Sequence, residues 1–296
     1  MSFSLVVTTY NRRGAVADLI GRLAEQTDPD FEVVVAIDGS TDGTADSLAM
    51  LRPPFPLRWV DTGCSGYGLA VARNAGILAA RGEMVAILDD DSIPASGYVA
   101  AHRASVASGV ITGGPRHPSD PAAAPRMAWK MAELAKLPPL SPMTINTIRR
   151  EYPTAYLIEN NICMLREDWM RIGLFSERLK LYGYIGQEFF ARAEFLGFEY
   201  QFNPPAAVTH HGEREGDNGL TRSRKNRQVQ IASLIRPSLM TPHHYRAQVA
   251  WAKAASEGRQ LPPLPPFAAH AAAALPLRLI RNLLGRAKRA LRRLLQ

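Results

Sequence analysis

The stretch VAILDDDSIP, residues 85–94, places three consecutive aspartates directly after an apolar strand. The carboxylates of Asp89, Asp90 and Asp91 repel one another, so the cluster needs either open solvent or a compensating positive charge. A solvated turn is one interpretation. A cation held among the carboxylates at the end of a buried strand is the other, and it makes this strand end the first candidate for a functional site.

Strand and helix patterns alternate through the first hundred residues around this stretch. The apolar runs FSLVVTT, FEVVVAI, LRWV and EMVAIL predict four strands, and helical apolar spacing predicts helices over 13–26, 42–51 and 68–80. Alternation of this kind predicts an α/β fold with a mainly parallel, doubly wound sheet. In such sheets, ligands bind beyond the carboxyl ends of the strands.

Polar segments follow three of these strands: TTYNR at 8–12, DGSTDGT at 38–44 and DDDS at 89–92. One such segment alone is most simply a polar turn. Because the predicted topology brings all three to one edge of the sheet, together they indicate a nucleotide-like ligand.

Charge is concentrated at the end of the chain. Of the net charge of +8, seven positive charges and no acid fall in 276–296, which leaves only +1 on the other 275 residues. A basic surface spread over the domain is therefore not indicated, and we expect no nucleic acid partner.

The segment LPLRLIRNLLGRAKRALRRLLQ predicts a C-terminal basic amphipathic helix, with leucines on one side and all seven basic residues on the other. Such a helix is typical of a membrane interface and would bind an anionic membrane surface. Docking on the protein itself or on a partner is the alternative.

No signal peptide and no apolar run of the roughly 18–20 residues that a spanning helix needs are evident. The two cysteines, Cys64 and Cys163, indicate neither a disulfide framework nor a zinc site. We therefore expect a protein of a reducing compartment, cytoplasmic and peripheral on the cytoplasmic face of the membrane.

The middle and the later part of the chain are less regular. Residues 113–160 are Pro-rich, with a predicted helix at 126–136, and indicate a lid or an acceptor-binding region. A further helix is predicted at 188–197, and FEYQFNPPAAVTHH predicts two short strands around a turn.

Four segments over residues 3–212 resemble the family 2 glycosyltransferases of the Rossmann-like GT-A fold. They are VVTTYNR, QTDPDFEVVVAIDGSTDGT, GLAVARNAGILAARGEMVAILDDDSIP and YGYIGQEFFARAEFLGFEYQFNPPAAVTHH. The resemblance implies a nucleotide-diphosphate sugar donor, a divalent metal and an inverting single displacement. A hard cation at the aspartates fits this chemistry because it neutralises the departing diphosphate.

The resemblance also implies the metal ligands. Asp91 matches the last acid of the family's DxD motif, and Asp89 is the other acid, either a second ligand or a partner through water. His210 matches the family histidine that binds the metal in several members, whereas His211 is a weaker candidate. The expected cofactor is Mn2+ or Mg2+, with the imidazole mildly favouring manganese.

The nucleotide-binding residues implied by the resemblance lie at the three strand ends. Asp38 matches the acid that accepts from the imide N–H of uracil, Thr8 and Tyr10 match the loop lining the base, and Asp90 would hydrogen-bond the ribose. Arg73 matches a basic residue near the nucleotide, or is a surface ion-pair partner. Ile37 departs from the family pattern, which has a second acid there.

The catalytic base is where the chain departs most from the family. The family segment G-x-E-D-x-E precedes a helix with an arginine four residues after the last acid. Aligning Arg192 puts Ile185 and Gly186 in place of the Glu-Asp pair, while Glu188 keeps the final acid. Three interpretations remain. In the first, Glu188 is the base. In the second, the base is another acid (Asp168, Glu159 or Glu167), or the acceptor is more acidic than a sugar hydroxyl. In the third, the protein binds the donor with little turnover.

These observations predict a glycosyltransferase that moves a sugar from a nucleotide-diphosphate donor, with UDP as the expected nucleotide, to a saccharide or lipid-linked acceptor. A nucleotide-sugar-binding module and a nucleotidyltransferase are the alternatives. The predicted division is a nucleotide-sugar-binding half at 1–112, an acceptor-binding half at 113–240, a helical and Pro-rich linker at 241–275 and the amphipathic helix at 276–296.

Overall fold

The computed structural model describes residues 1–65, 68–177, 179 and 185–212. The predicted linker at 241–275 and the amphipathic helix at 276–296 lie outside the described residues. Within the described ranges, no helix is both long and apolar enough to span a bilayer.

The secondary structure alternates over the first hundred residues as the sequence predicts. The strands are β1 (Phe3–Thr9), β2 (Glu32–Ile37), β3 (Leu57–Asp61), β4 (Met84–Asp89), β5 (Ser92–Pro94), β6 (Val110–Gly113), β7 (Arg116–Pro118), β8 (Met143–Thr144), β9 (Asn161–Leu165), β10 (Glu199–Phe202) and β11 (Val208–His210). The helices are α1 (Arg13–Leu23), α2 (Thr44–Met50), α3 (Leu69–Ala79), α4 (Tyr98–Ser105), α5 (Pro125–Leu134), α6 (Ile145–Glu151), α7 (Arg166–Ile172) and α8 (Ile185–Phe195).

Eight of the described strands form a mixed central sheet in the order β3-β2-β1-β4-β9-β6-β10-β8. The four predicted strands pair in parallel, which confirms the doubly wound half. Their residues are apolar on both faces because hydrophobic clusters cover both: Val6 and Val34 pack into one cluster, and Leu5 and Val33 into the other.

β9 is the element that makes the sheet mixed. It runs antiparallel to both β4 and β6, so that Leu88 of β4 lies opposite Asn161 and Met84 lies opposite Leu165. Residues just before β9 therefore lie at the carboxyl end of β4, and residues just after β9 lie at its amino end. This register decides which acids of the second half reach the aspartate cluster.

The two predicted strands in FEYQFNPPAAVTHH are both present, but they belong to different sheets. β10 joins the central sheet beside β6, whereas β11 lies in a three-stranded sheet in the order β5-β11-β7. In this small sheet β11 is antiparallel to β5, with His210 opposite Ser92. The small sheet thus brings the end of β11 to the aspartates.

Candidate active site

The aspartate cluster lies where β4 ends and the chain turns into β5. Because β5 pairs with β11 in the register His210 to Ser92, the imidazole of His210 reaches Asp91. The Nε2 atom of His210 lies 3.4 Å from Oδ2 of Asp91, and the backbone N–H of His211 donates to the carbonyl of Asp91 at 2.8 Å. The structure therefore brings together two of the three predicted metal ligands.

Asp91 and His210 fit a divalent cation. Carboxylate and imidazole are ligand types that manganese accepts. A Cβ built on Gly212 would lie 2.9 Å from Asp91 Oδ2 and 2.5 Å from His210 Nε2, so the glycine keeps space open beside both groups. In the part of the chain that the structure describes, no three His, Cys, Asp or Glu side chains form a metal-binding group. The remaining ligands would then come from the donor diphosphate and from water.

Two arginines compensate the charge of Asp90 and Asp91. The Nη1 group of Arg12 donates to Asp90 Oδ1 at 2.9 Å and to Asp91 Oδ2 at 2.8 Å. Arg116, on β7 of the small sheet, donates from Nη2 to Asp91 Oδ1 at 3.2 Å. Burial opposes ionisation of Asp91, but the contacts with His210, Arg116 and Arg12 outweigh it and hold its pKa well below the usual range.

Asp90 faces the protein rather than the cleft. It is 5% exposed, and its second oxygen accepts from the Thr9 hydroxyl at 2.7 Å. Burial raises the pKa of Asp90 to about 7, against the lowering effects of Thr9 and Arg12. This placement favours a structural role over the predicted hydrogen bond to ribose.

Asp89 is held by side chains from β1, from α3 and from the loop before β9. Its Oδ1 accepts from Arg73 at 3.0 Å and from the Thr8 hydroxyl at 3.3 Å, and its Oδ2 accepts from the amide of Asn160 at 2.6 Å. Arg73 is buried beneath the acids at 2% exposure and Thr8 at 5%. Both therefore orient Asp89, which disfavours their predicted contact with the nucleotide. Asp89 itself remains a candidate ligand through water.

The predicted base pocket lies at the carboxyl ends of β1 and β2. Oδ2 of Asp38 accepts from the backbone N–H of Gly68 at 3.0 Å, whereas Oδ1 is buried with no hydrogen-bond partner in the described structure. A Cβ at position 68 would lie 2.2 Å from Oδ1, so this close approach of the backbone to Asp38 requires glycine. Burial raises the pKa of Asp38. Tyr10 lies at the end of β1 and is 51% exposed, and its role in lining the base stays a prediction.

Glu188 lies in a buried ion pair inside the protein. Its carboxylate accepts from Arg192 Nε at 2.5 Å and from Nη2 at 2.8 Å, and the two side chains are 0% and 1% exposed. Burial raises the pKa of Glu188, and Arg192 opposes that effect. An acceptor hydroxyl does not reach a carboxylate enclosed in this way, so the geometry disfavours Glu188 as the catalytic base.

Sequence reasoning missed three side chains at the site: Arg12, Arg116 and Asn160. Arg12 is the last residue of the strand-end segment TTYNR, and this position is the sequence signal that could have identified it. Arg116 and Asn160 reach the site because β7 pairs with β11 and β9 pairs with β4. These strands are far apart in the sequence, and no local sequence pattern predicts their pairing.

The family model named "Glycosyl transferase family 2" matches residues 4–169. The chain is 30% identical over 197 residues to a validoxylamine A glucosyltransferase of Streptomyces hygroscopicus subsp. jinggangensis (strain 5008). That match covers 59% of this chain and 47% of the relative. The chain thus spans about half the length of the curated relatives it matches.

Two solved structures show the same fold. S. aureus TarS 1–349 in complex with UDP-GlcNAc has a TM-score of 0.61 and 19% identity, and the match covers 86% of this chain and 73% of that one. The mannosyltransferase PcManGT from Pyrobaculum calidifontis, in complex with GDP-Man and Mn2+, has a TM-score of 0.51 and 22% identity, with coverage of 92% and 69%. These likenesses confirm the predicted GT-A fold.

Proposed function

Since the chain belongs to glycosyl transferase family 2, we propose that it transfers a sugar from a nucleotide-diphosphate sugar to an acceptor hydroxyl, with inversion and with a divalent cation. The observation that carries this proposal is the meeting of Asp91, in the turn between β4 and β5, and His210, at the end of β11, 3.4 Å apart at the carboxyl edge of the sheet. Ligands bind at this edge in doubly wound folds.

The proposed cation site consists of Asp91 and His210, and Asp89 is proposed to act through water. A divalent cation there would neutralise charge on the departing diphosphate. Mn2+ and Mg2+ are both candidates, and the PcManGT structure is a complex with GDP-Man and Mn2+. The protein's own contribution is to hold the two ligands rigidly, because Arg116 and the β5–β11 pairing fix their positions.

The proposed donor carries uridine. Asp38 supports this choice, since its buried Oδ1 has no partner in the described structure and accepts, but cannot donate, a hydrogen bond when ionised. The imide N–H of uracil can donate the hydrogen bond that this oxygen accepts. The TarS 1–349 structure is a complex with UDP-GlcNAc, which agrees with this donor class.

The proposed acceptor is a saccharide or a lipid-linked saccharide. Support comes from the relatives, one of which is named a glucosyltransferase of validoxylamine A and another a poly(ribitol-phosphate) β-N-acetylglucosaminyltransferase. The predicted helix at 276–296 would hold the protein at an anionic membrane surface on the cytoplasmic side. Deleting 276–296 should then release the protein from sedimenting phosphatidylglycerol vesicles; sedimentation of the truncated chain would contradict the membrane role.

A donor-binding module with little turnover is the second candidate, and Gly186 in place of the family's catalytic acid is the observation that favours it. Both candidate functions require donor binding at this site, and only the first includes efficient transfer of the sugar. A nucleotidyltransferase finds no support in the comparisons, since the matching model and the relatives cited above are glycosyltransferases.

The proposal is tested by thermal unfolding of the full chain with UDP-glucose, UDP-N-acetylglucosamine, CDP-glucose and GDP-mannose, each with and without Mn2+. A uridine-linked donor with Mn2+ should raise Tm more than either component alone, because binding to the native state stabilises it by mass action. If none of these donors changes Tm with Mn2+ present, the proposed function is refuted.

A further inference from the structure

We propose that Glu159 is the general base of the reaction, supplying from the loop before β9 the carboxylate that helix α8 lacks. This inference rests on the proposed function. It assigns a catalytic role that neither the family match nor the relatives' names give to this position.

The space around Gly186 carries the argument. Gly186 stands where the family segment has its acid, and a Cβ built there would lie 2.5 Å from the carboxyl carbon of Glu159 and 3.0 Å from its Cβ. The Glu159 carboxylate therefore occupies the volume next to the helix start that a side chain at position 186 would fill. A side chain at 186 would therefore displace the Glu159 carboxylate from its present position, and Gly186 leaves that position to Glu159.

The register of β9 places Glu159 at the site. Leu88 lies opposite Asn161, and Asn160 donates to Asp89, so Glu159 lies one residue beyond the contact with the aspartate cluster. Its Oε1 lies 3.5 Å from Nη1 of Arg73, and Arg73 in turn contacts Asp89. One arginine thus connects the proposed base with the acids at the donor site.

Accessibility separates Glu159 from the other acids considered. The Glu159 side chain is 22% exposed, whereas that of Glu188 is fully enclosed with Arg192. Asp168 and Glu167 follow β9, so they lie at the amino end of β4, the opposite edge of the sheet. Asp168 is also buried and accepts from the backbone N–H of Gly109 and from Arg171.

In the proposed step, the Glu159 carboxylate takes the proton of the acceptor hydroxyl as the acceptor oxygen forms its bond to the anomeric carbon. The bond between that carbon and the diphosphate oxygen breaks, and its electron pair leaves with the nucleoside diphosphate. Glu159 then returns the proton to solvent. Attack on the face opposite the leaving group inverts the anomeric centre, and water can replace the acceptor in the same step.

The test uses the donor that raises Tm most in the thermal screen described above. It measures release of nucleoside diphosphate from that donor in the presence of Mn2+, with water and a panel of free saccharides as acceptors. Donor binding is measured separately by calorimetry. Glu159→Gln keeps an oxygen for Arg73 but cannot take a proton, so kcat should fall about 10²–10⁴-fold, with the donor Kd within about threefold of the wild-type value. Glu167→Gln is the matched control, since Glu167 is exposed and lies at the far edge of the sheet.

Two further variants test the steric argument. Gly186→Ala should lower kcat by displacing the Glu159 carboxylate while leaving the donor Kd unchanged. Glu159→Gly combined with Gly186→Asp moves the acid back to the helix and should recover at least about tenfold of the kcat lost in Glu159→Gly alone. Recovery of this kind distinguishes a base from a residue that only orients Arg73.

The outcomes separate this inference from the proposed function. Absence of donor binding by the wild-type chain refutes the proposed function. Donor binding without turnover in the wild-type chain, or a kcat in Glu159→Gln within about threefold of wild type, refutes the role of Glu159 and leaves the donor site standing.

Discussion

Replacing Glu188 by glutamine should destabilise the fold, because the residue belongs to a buried ion pair. Arg192 is 1% exposed and also donates to the backbone carbonyls of Ile172 and Leu174 at 2.7 and 2.6 Å. The ion pair therefore connects α8 with the end of α7. Glu188→Gln leaves the guanidinium in place and removes the charge that compensates it.

The expected size follows from the geometry. Removing one partner of a buried pair costs about 3–5 kcal/mol, and the glutamine oxygen still accepts one of the two hydrogen bonds, so we expect about 3 kcal/mol. For a domain of this size about 2–4 °C of Tm corresponds to each kcal/mol, which gives a decrease in Tm of about 6–12 °C.

The matched control is Glu194→Gln on the same helix. Glu194 pairs with Arg149 at 3.1 Å, but the two side chains are 25% and 51% exposed. Surface pairs contribute about 0–1 kcal/mol, so the Tm of this variant should fall by less than about 4 °C. Both variants are compared by calorimetry and by urea unfolding at pH 7.5.

The result that would refute the reasoning is an unchanged Tm in Glu188→Gln. If the variant in addition lost turnover while it still bound donor, Glu188 would be a catalytic group, and the buried ion pair would not describe the active protein.

Three further predictions concern the donor site. Asp38→Asn should weaken UDP binding about 10–100-fold, the equivalent of one hydrogen bond to a charged acceptor, and should shift preference toward CDP, whose base lacks the imide N–H; calorimetry with both nucleotides checks this. Asp91→Asn should lower Mn2+ affinity in the presence of UDP by more than about tenfold, measured by electron paramagnetic resonance of free Mn2+, and an unchanged affinity would contradict its role as a ligand. In the metal-free protein, the pKa of Asp90 is raised to about 7 in the folded state. The native state therefore binds more protons than the unfolded state between about pH 4 and pH 7, and the free energy of unfolding should fall by a few kcal/mol as the pH rises through this window. Asp90→Asn should remove that part of the pH dependence, as urea unfolding at pH 5 and pH 8 would show.

The parallel half of the fold could be predicted from the sequence because its information is local. Strands β1, β2, β3 and β4 each show as an apolar run, and the helices between them show as a change in apolar period. Parallel pairing then follows from the alternation alone. The acids at 89–91 and Asp38 are strand-end residues by the same reasoning, and the structure places them at one edge.

The second half could not be predicted in the same way, because its sheet order comes from pairings between distant residues. β9 inserts antiparallel between β4 and β6, and this insertion alone brings Glu159 and Asn160 to the aspartates. His210 reaches Asp91 through a small sheet whose strands come from three separate parts of the chain. Only the family resemblance pointed to that histidine.

Glu188 shows how a correct pattern led to a different role. An acid in the first turn of a helix, four residues before an arginine, fits both a catalytic motif and an i,i+4 ion pair. Ile185 and Arg192, which share a helix face with Glu188, are buried, and so are Phe189 and Phe190 on the other sides of the helix, so the start of α8 is enclosed in the core. Burial of the neighbours, rather than the acid itself, is the signal that could have separated the two interpretations.

The positive charge that the three aspartates need is supplied in this structure by arginines. Asp89 is paired with Arg73, and Asp91 with Arg116 and with Arg12, which also reaches Asp90. The three arginines differ in burial: the side chains of Arg73 and Arg116 are 2% and 11% exposed, and that of Arg12 is 36% exposed. Arg12 contacts the same oxygen of Asp91 that faces His210. A divalent cation bound between Asp91 and His210 would therefore displace Arg12 from Asp91. Arg12 is the most exposed of the three arginines and can turn toward solvent, whereas Arg73 and Arg116 would stay and keep the carboxylates in position.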